Sequence, residues 1–83
     1  MMIRVKNIFG DSIELSPQTK TALANLGLEA DKPDANWDET TGKMLRVLEA
    51  DNYDVTKLQP EISFIDTKYG KKILEIVINY AGM

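Results

Sequence analysis

The feature that most constrains this chain is its C-terminal third, where two apolar-rich runs flank Lys68-Tyr69-Gly70. Runs of β-branched and aromatic residues separated by a short glycine-containing loop signal an antiparallel hairpin. The sequence predicts strands over 61–67 and 71–80. Gly70, as third residue of the loop, fits a type I turn closed by a G1 bulge. The resulting register sets Asp66 opposite Lys72, Ile65 opposite Ile73, Phe64 opposite Leu74 and Ile62 opposite Ile76, so charge meets charge and apolar meets apolar. The last strand reads Ile73-Leu74-Glu75-Ile76-Val77-Ile78, apolar at nearly every position, as in a strand covered on both faces. It is therefore expected at the centre of its sheet.

The start of the chain alternates with a period of two. Over 2–9, Ile3, Val5 and Phe9 fall on one side, Arg4 and Lys6 on the other. Gly10-Asp11 supplies a tight turn, and 12–15 is expected to return as a strand with Ile13 and Leu15 inward. The register of this first hairpin stays open. Ser16-Pro17 is a helix start, with a hydroxyl to cap free amides and a proline where no N–H is needed. The first helix is predicted from Pro17 to Leu26, with an apolar stripe of Ala22, Leu23 and Leu26. Gly27 then suits a left-handed C′ position, with Leu28 packing back on Leu23.

Residues 29–35 are polar, contain Pro33 and show no periodicity, so they are read as a loop. Asn36 and Glu39 resemble a capping box opening a second helix. On that helix Trp37, Thr41, Met44, Leu45 and Leu48 share a face, and Glu39 and Lys43 pair at i,i+4. Asn52 is expected to end it, with Tyr53 folding back on Leu48. Residues 54–59 read as a turn or short helical coil.

Together these elements predict one α+β domain over 1–83: a four-stranded mixed sheet in the chain order ββααββ and spatial order 2-1-4-3, with two helices on one face. That arrangement is β-grasp-like. Met2 to Leu15 resembles the opening hairpin of a ubiquitin-like protein in its alternation, glycine turn and following proline. The resemblance covers a quarter of the chain, and the extra helix and the Ala81-Gly82-Met83 tail depart from it.

Composition narrows the chemistry. The chain has 83 residues, no cysteine and no histidine, which leaves room for one core and removes disulfides, thiolate nucleophiles and zinc-finger or iron-sulfur sites. It also removes the side chain that titrates near neutrality and most often serves as general base. The net charge of −3 is uneven. Residues 29–54 carry eight acids against three bases, a net −5, while the segments on either side are each +1. An acidic centre argues against phosphate-backbone binding and favours a protein partner with a basic surface. No run approaches the roughly 20 apolar residues of a membrane span, and no signal-peptide block opens the chain. A cytoplasmic protein starting in its mature form is expected.

Asp34-x-Asn36-x-Asp38 matches the first three ligand positions of an EF-hand loop, but Glu39 and Leu45 then stand where glycine and a bidentate glutamate are required. A solvated loop leading into a helix whose first-turn acids complement its dipole accounts for these residues. Ser16 and Lys20 are spaced i,i+4 like a serine-lysine pair, yet capping explains Ser16. The five glycines are too scattered for a phosphate-cradling loop. Lys68, Lys71 and Lys72 with Tyr69 form a basic hairpin tip, a usual solubility device.

The resulting expectation is a non-catalytic interaction module without cofactor or metal. Its candidate partner-binding residues are Glu29, Asp31, Asp34, Asp38 and Glu39 with Trp37, the alternative surface being an exposed sheet edge. Size and acidity fit a phage- or mobile-element-like inhibitor or accessory protein. A self-assembling subunit pairing through 12–15 or 61–67 is the alternative, and a divalent-metal enzyme using Asp31, Asp34 and Asp38 stands behind both.

Overall fold

The computed structural model describes residues 2–32 and 35–82. Along the chain come β1 (Met2–Lys6), α1 (Pro17–Ala30), α2 (Trp37–Ala50), a 3-10 turn (Val55–Lys57), β2 (Leu58–Thr67) and β3 (Gly70–Tyr80). The mixed sheet has three strands in the order β1-β3-β2, with β1 parallel and β2 antiparallel to β3. The class is α+β and the last strand is central, as the sequence implies. The sheet is the expected four-stranded one without its second strand.

That strand is missing because the chain turns away from β1 after Lys6 and packs on the core on its way to α1. β1 stops at Lys6, and Asn7 folds the chain over: its side-chain oxygen accepts from the N–H groups of Phe9 (2.9 Å) and Asp11 (3.0 Å), while Gly10 adopts φ +81°. Phe9 therefore points outward, 75% exposed, instead of joining Ile3 and Val5. Beyond one isolated bridge from Ser12 to Lys6, residues 12–15 leave the sheet. Ile13 and Leu15 pack against the core, and the chain must reach Pro17 already turned into α1. The ubiquitin-like opening hairpin is accordingly reduced to a strand and a bridged strap.

α1 begins as expected: Ser16 Oγ accepts from Thr19 N–H at 3.3 Å, and Pro17 occupies the first turn. It does not stop at Leu26. Gly27 lies inside the helix, which runs on to Ala30 because the buried stripe is Thr19, Leu23, Gly27 and Ala30, and the small residues at its end let α1 stay close to its neighbours. α2 starts under Asn36, whose side chain accepts from Glu39 N–H at 3.1 Å. It ends in a Schellman motif: Asn52 is left-handed at φ 70°, Tyr53 N–H donates to Leu48 C=O at 3.1 Å, and Asn52 N–H donates to Glu49 C=O at 3.1 Å.

The hairpin differs from the expected register in an instructive way. Thr67 pairs with Gly70, Asp66 with Lys71, Ile65 with Lys72 and Phe64 with Ile73, and then a bulge at Leu74 restores Ile62 opposite Ile76. The extra residue expected at the turn sits inside β3 instead. The bulge reverses the side-chain phase, so Ile73, an odd-numbered residue, faces inward with Ile76 and Ile78 while Leu74 is left 52% exposed. The continuous apolar run of β3 thus encodes a phase shift, not a strand covered on both faces.

The inward residues of the sheet meet Leu23, Met44 and Leu48 from the helices in one core cluster, in which Met44, Leu48 and Ile78 are fully buried. β1 pairs only with residues 75–79 of β3. The distal half of the hairpin is therefore two-stranded, which leaves Phe64, Ile65 and Leu74 partly exposed.

Candidate functional site

β1 is an edge strand, and most of its outer side carries no pairing. The Val5 carbonyl accepts from Ile13 N–H at 2.8 Å, and Asn7 N–H donates to the Asp11 carbonyl at 2.9 Å. Odd-numbered residues therefore turn their backbone groups away from β3. By the same alternation the N–H and C=O of Ile3 and the N–H of Val5 face outward, and among the described residues they have no backbone partner there.

α1 extends past this edge. Lys20, Ala24, Leu28 and Asp31 recur at helical spacing and, with Ile3, Val5, Ile13 and Leu15, line a groove of about 510 Å³ between helix and strand. The lining is mainly apolar, and Leu28 is 68% exposed on it although its neighbour Gly27 is buried. Sequence reasoning assigned Leu28 to a helix stop. The i,i+4 recurrence of Lys20, Ala24 and Leu28 was the available signal for a second face of α1, and it is readable only once the helix is known to continue beyond Leu26.

The edge carries charges of both signs. Arg4 holds Glu75 through Nε (2.9 Å) and Nη2 (2.7 Å), both to Oε1, which leaves Nη1 directed elsewhere. Lys20 stands on α1 next to the strap, Lys6 ends β1, and Asp31 caps the far end of the helix.

The acidic residues singled out in the sequence collect at the other end of the helical pair. Glu29 and Glu39 both approach Lys43 Nζ, at 3.9 and 3.7 Å, so one lysine bridges the end of α1 and the start of α2. Asp38 and Glu39 occupy the first turn of α2, where they complement its dipole. Asp31 is the C-cap of α1, its N–H donating to Gly27 C=O at 3.2 Å. Asp34 lies outside the described residues. Trp37 is half-buried against Phe64, ring centroids 4.7 Å apart, beside a hollow of about 290 Å³ that Lys32, Lys71, Lys72 and Tyr69 help to line. The tryptophan thus neighbours the basic hairpin tip, which its place in the sequence did not suggest. Among the described residues no cluster of three or more acids is placed to hold a metal ion.

Fold and groove together define a small α+β domain with an open sheet edge above an overhanging helix. No protein-family model matches the chain, and no curated protein or solved structure shows significant similarity to it. Among the described residues no helix is long and apolar enough to cross a membrane.

Proposed function

We propose that this protein is a non-catalytic interaction module that takes an extended segment of a protein partner onto the outer edge of β1. The observation that carries the reading is that the N–H and C=O of Ile3 and the N–H of Val5 have no backbone partner on the outer edge among the described residues, beside a mainly apolar groove that α1 helps to line. A strand added there gains main-chain hydrogen bonds from β1 and buries its alternate side chains on Ala24 and Leu28. The absence of thiol and imidazole groups accords with a role played by a surface, and the absence of cysteine suits the reducing cytoplasm in which we place it.

Two other surfaces have weaker support. The outer edge of β2 contains Pro60 and Glu61, and a proline removes a donor while charge on an edge opposes pairing. At the acidic end of the helices, Lys43 offsets Glu29 and Glu39.

Amide hydrogen exchange tests the reading directly. A randomised library of extended peptides is selected on the full chain, and the exchange of backbone amides is then followed with a selected peptide bound. The expected result is slowed exchange at Ile3 and Val5, abolished by Ala24→Trp, which fills the groove from an exposed helix position. Protection confined to β2 or to residues 36–43 would sink the assignment.

A further inference from the structure

We infer that residues 12–15 form a latch that can close on β1 as a fourth strand, and that closure competes with a partner segment for the same edge; the competition rests on the strand-addition reading above, the latch itself does not.

Unmatched backbone groups on strand and strap correspond one to one. The bridge between Lys6 and Ser12 is antiparallel, made by Ile13 N–H donating to the Val5 carbonyl and Asn7 N–H donating to the Asp11 carbonyl. Lys6 and Ser12 are thus a non-hydrogen-bonded pair, and in a continued ladder the next pair, Val5 and Ile13, would exchange two hydrogen bonds. Only one of the two is made. The same register sets Arg4 opposite Glu14 and Ile3 opposite Leu15. Val5 N–H would then donate to the Ile13 carbonyl, Ile3 N–H to the Leu15 carbonyl, and Leu15 N–H to the Ile3 carbonyl. None of these six groups has a backbone partner in those directions among the described residues.

The side chains already stand on the faces that closure needs. Ile13 and Leu15 line the groove from the strap as Ile3 and Val5 line it from the strand, and directly opposed residues of an antiparallel pair share a face. Closure keeps all four toward α1. Glu14 falls opposite Arg4, a pair of opposite charge. Opposing closure is the tie of Ser16, the neighbour of Leu15, to Thr19 and through Thr19 to Asp51. A partner segment must take the N–H and C=O of Ile3 and the N–H of Val5, which are the groups the closed strap uses. Each therefore excludes the other, and the closed fraction lowers the partner's apparent affinity.

Because the chain has no cysteine, an introduced disulfide can report the closed register. Non-hydrogen-bonded antiparallel pairs hold their Cα atoms about 4.5 Å apart, within the span a disulfide bridges. The double variant Arg4→Cys, Glu14→Cys is expected to cross-link about tenfold faster than the off-register variant Lys6→Cys, Glu14→Cys, whose diagonal geometry suits a disulfide poorly. The variant Lys6→Cys, Ser12→Cys joins residues already bridged and shows that strand and strap tolerate cysteines. With positions 4 and 14 cross-linked, a peptide selected on the unmodified chain should no longer bind, and reduction should restore binding. In the unmodified chain the closed state should give an Hα–Hα nuclear Overhauser contact between Arg4 and Glu14, which reads the latch even if a cysteine pair fails to fold. Cross-linking no faster than off-register, or absence of that contact, overturns the latch. A cross-linked chain that still binds the peptide overturns the competition. Should no selected peptide protect Ile3 and Val5 in the reduced chain, strand addition fails, and the competition with it, while the cross-linking rates still decide the latch.

Discussion

The hydroxyl of Thr19 donates to Asp51 Oδ2 at 3.0 Å and accepts from the Ser16 hydroxyl at 2.9 Å. A three-residue relay thus fastens the N-terminus of α1 to the C-terminal cap of α2, and it does so in a site where Thr19 is only 6% exposed. The carboxylate also lies against the positive end of the α1 dipole. This contact ties the start of α1, set by Ser16 and Pro17, to the end of α2.

Breaking the relay is expected to cost more than a surface hydrogen bond. Thr19→Val leaves the shape and removes the donor, and should destabilise by about 2 kcal/mol because a hydrogen bond to a charged group is lost in a mostly dry site. A double-mutant cycle with Asp51→Ala, followed by urea unfolding, should show coupling of about 1 kcal/mol or more. Additive effects would mean the two side chains do not act as a pair.

The bulge makes an unusual deletion tolerable. Removing Leu74 alone gives Ile73, Glu75 and Ile76 strict alternation, so the variant should fold with its unfolding free energy changed by only about 1 kcal/mol. Removing Val77 instead puts Ile78 out of phase and should cost several kcal/mol, at least about 2 to 5 for one large core side chain. Urea midpoints of the two deletions decide the matter, and equal loss in both would contradict the role given to Leu74.

Thr41 Oγ1 is buried and has no hydrogen-bond partner among the described residues. An unmet hydroxyl in an apolar setting is a standing cost, so Thr41→Val should raise stability by up to about 1 kcal/mol. A fall in the thermal midpoint would show that the hydroxyl has a partner.

Trp37 is the only tryptophan of the chain and reports on the hairpin. Its ring is tilted by 46° against Phe64, an arrangement worth about 0.5 to 1.5 kcal/mol beyond area burial. Phe64→Ala should move the fluorescence maximum to the red and lower stability together. An unchanged spectrum would detach Trp37 from β2.

Two groups set the expected pH response. The hydroxyl and N–H of Thr56 donate to Asp54 and hold its carboxyl below the ordinary 3.8. Its contribution is present above that value and is lost as pH falls through the lower folded value. Burial, then the charge of Asp51, then Tyr80 raise the Tyr53 phenol above 10.0. Its contribution is complete below pH 10 and is lost as pH rises through the folded value. Denaturant midpoints across pH should therefore decline at both extremes, with Asp54→Asn flattening the acid limb and Tyr53→Phe the alkaline one.

Where a feature depends on neighbours along the chain, the sequence was readable. Ser16, Asn36 and Asn52 cap as their side chains and backbone preferences require, and β3 is central as expected, although its apolar run reflects the bulge at Leu74 and not cover on both faces. The candidate site was legible only in part. An exposed edge was foreseen, but on residues 12–15 and 61–67; the edge with the groove belongs to β1, because whether a short segment pairs depends on competition with α1 for the same residues.

Local chemistry therefore settled the helix starts and that the chain turns near Gly10 and Gly70, though not the pairing expected beyond either turn, since a cap or a turn rests on contacts a few residues apart. Tertiary packing decided the length of α1, the place of the bulge and the number of strands. Those outcomes turn on which side chains share a core across distant segments, and no local pattern at Gly27, Leu74 or Ile13 states which partner will be there.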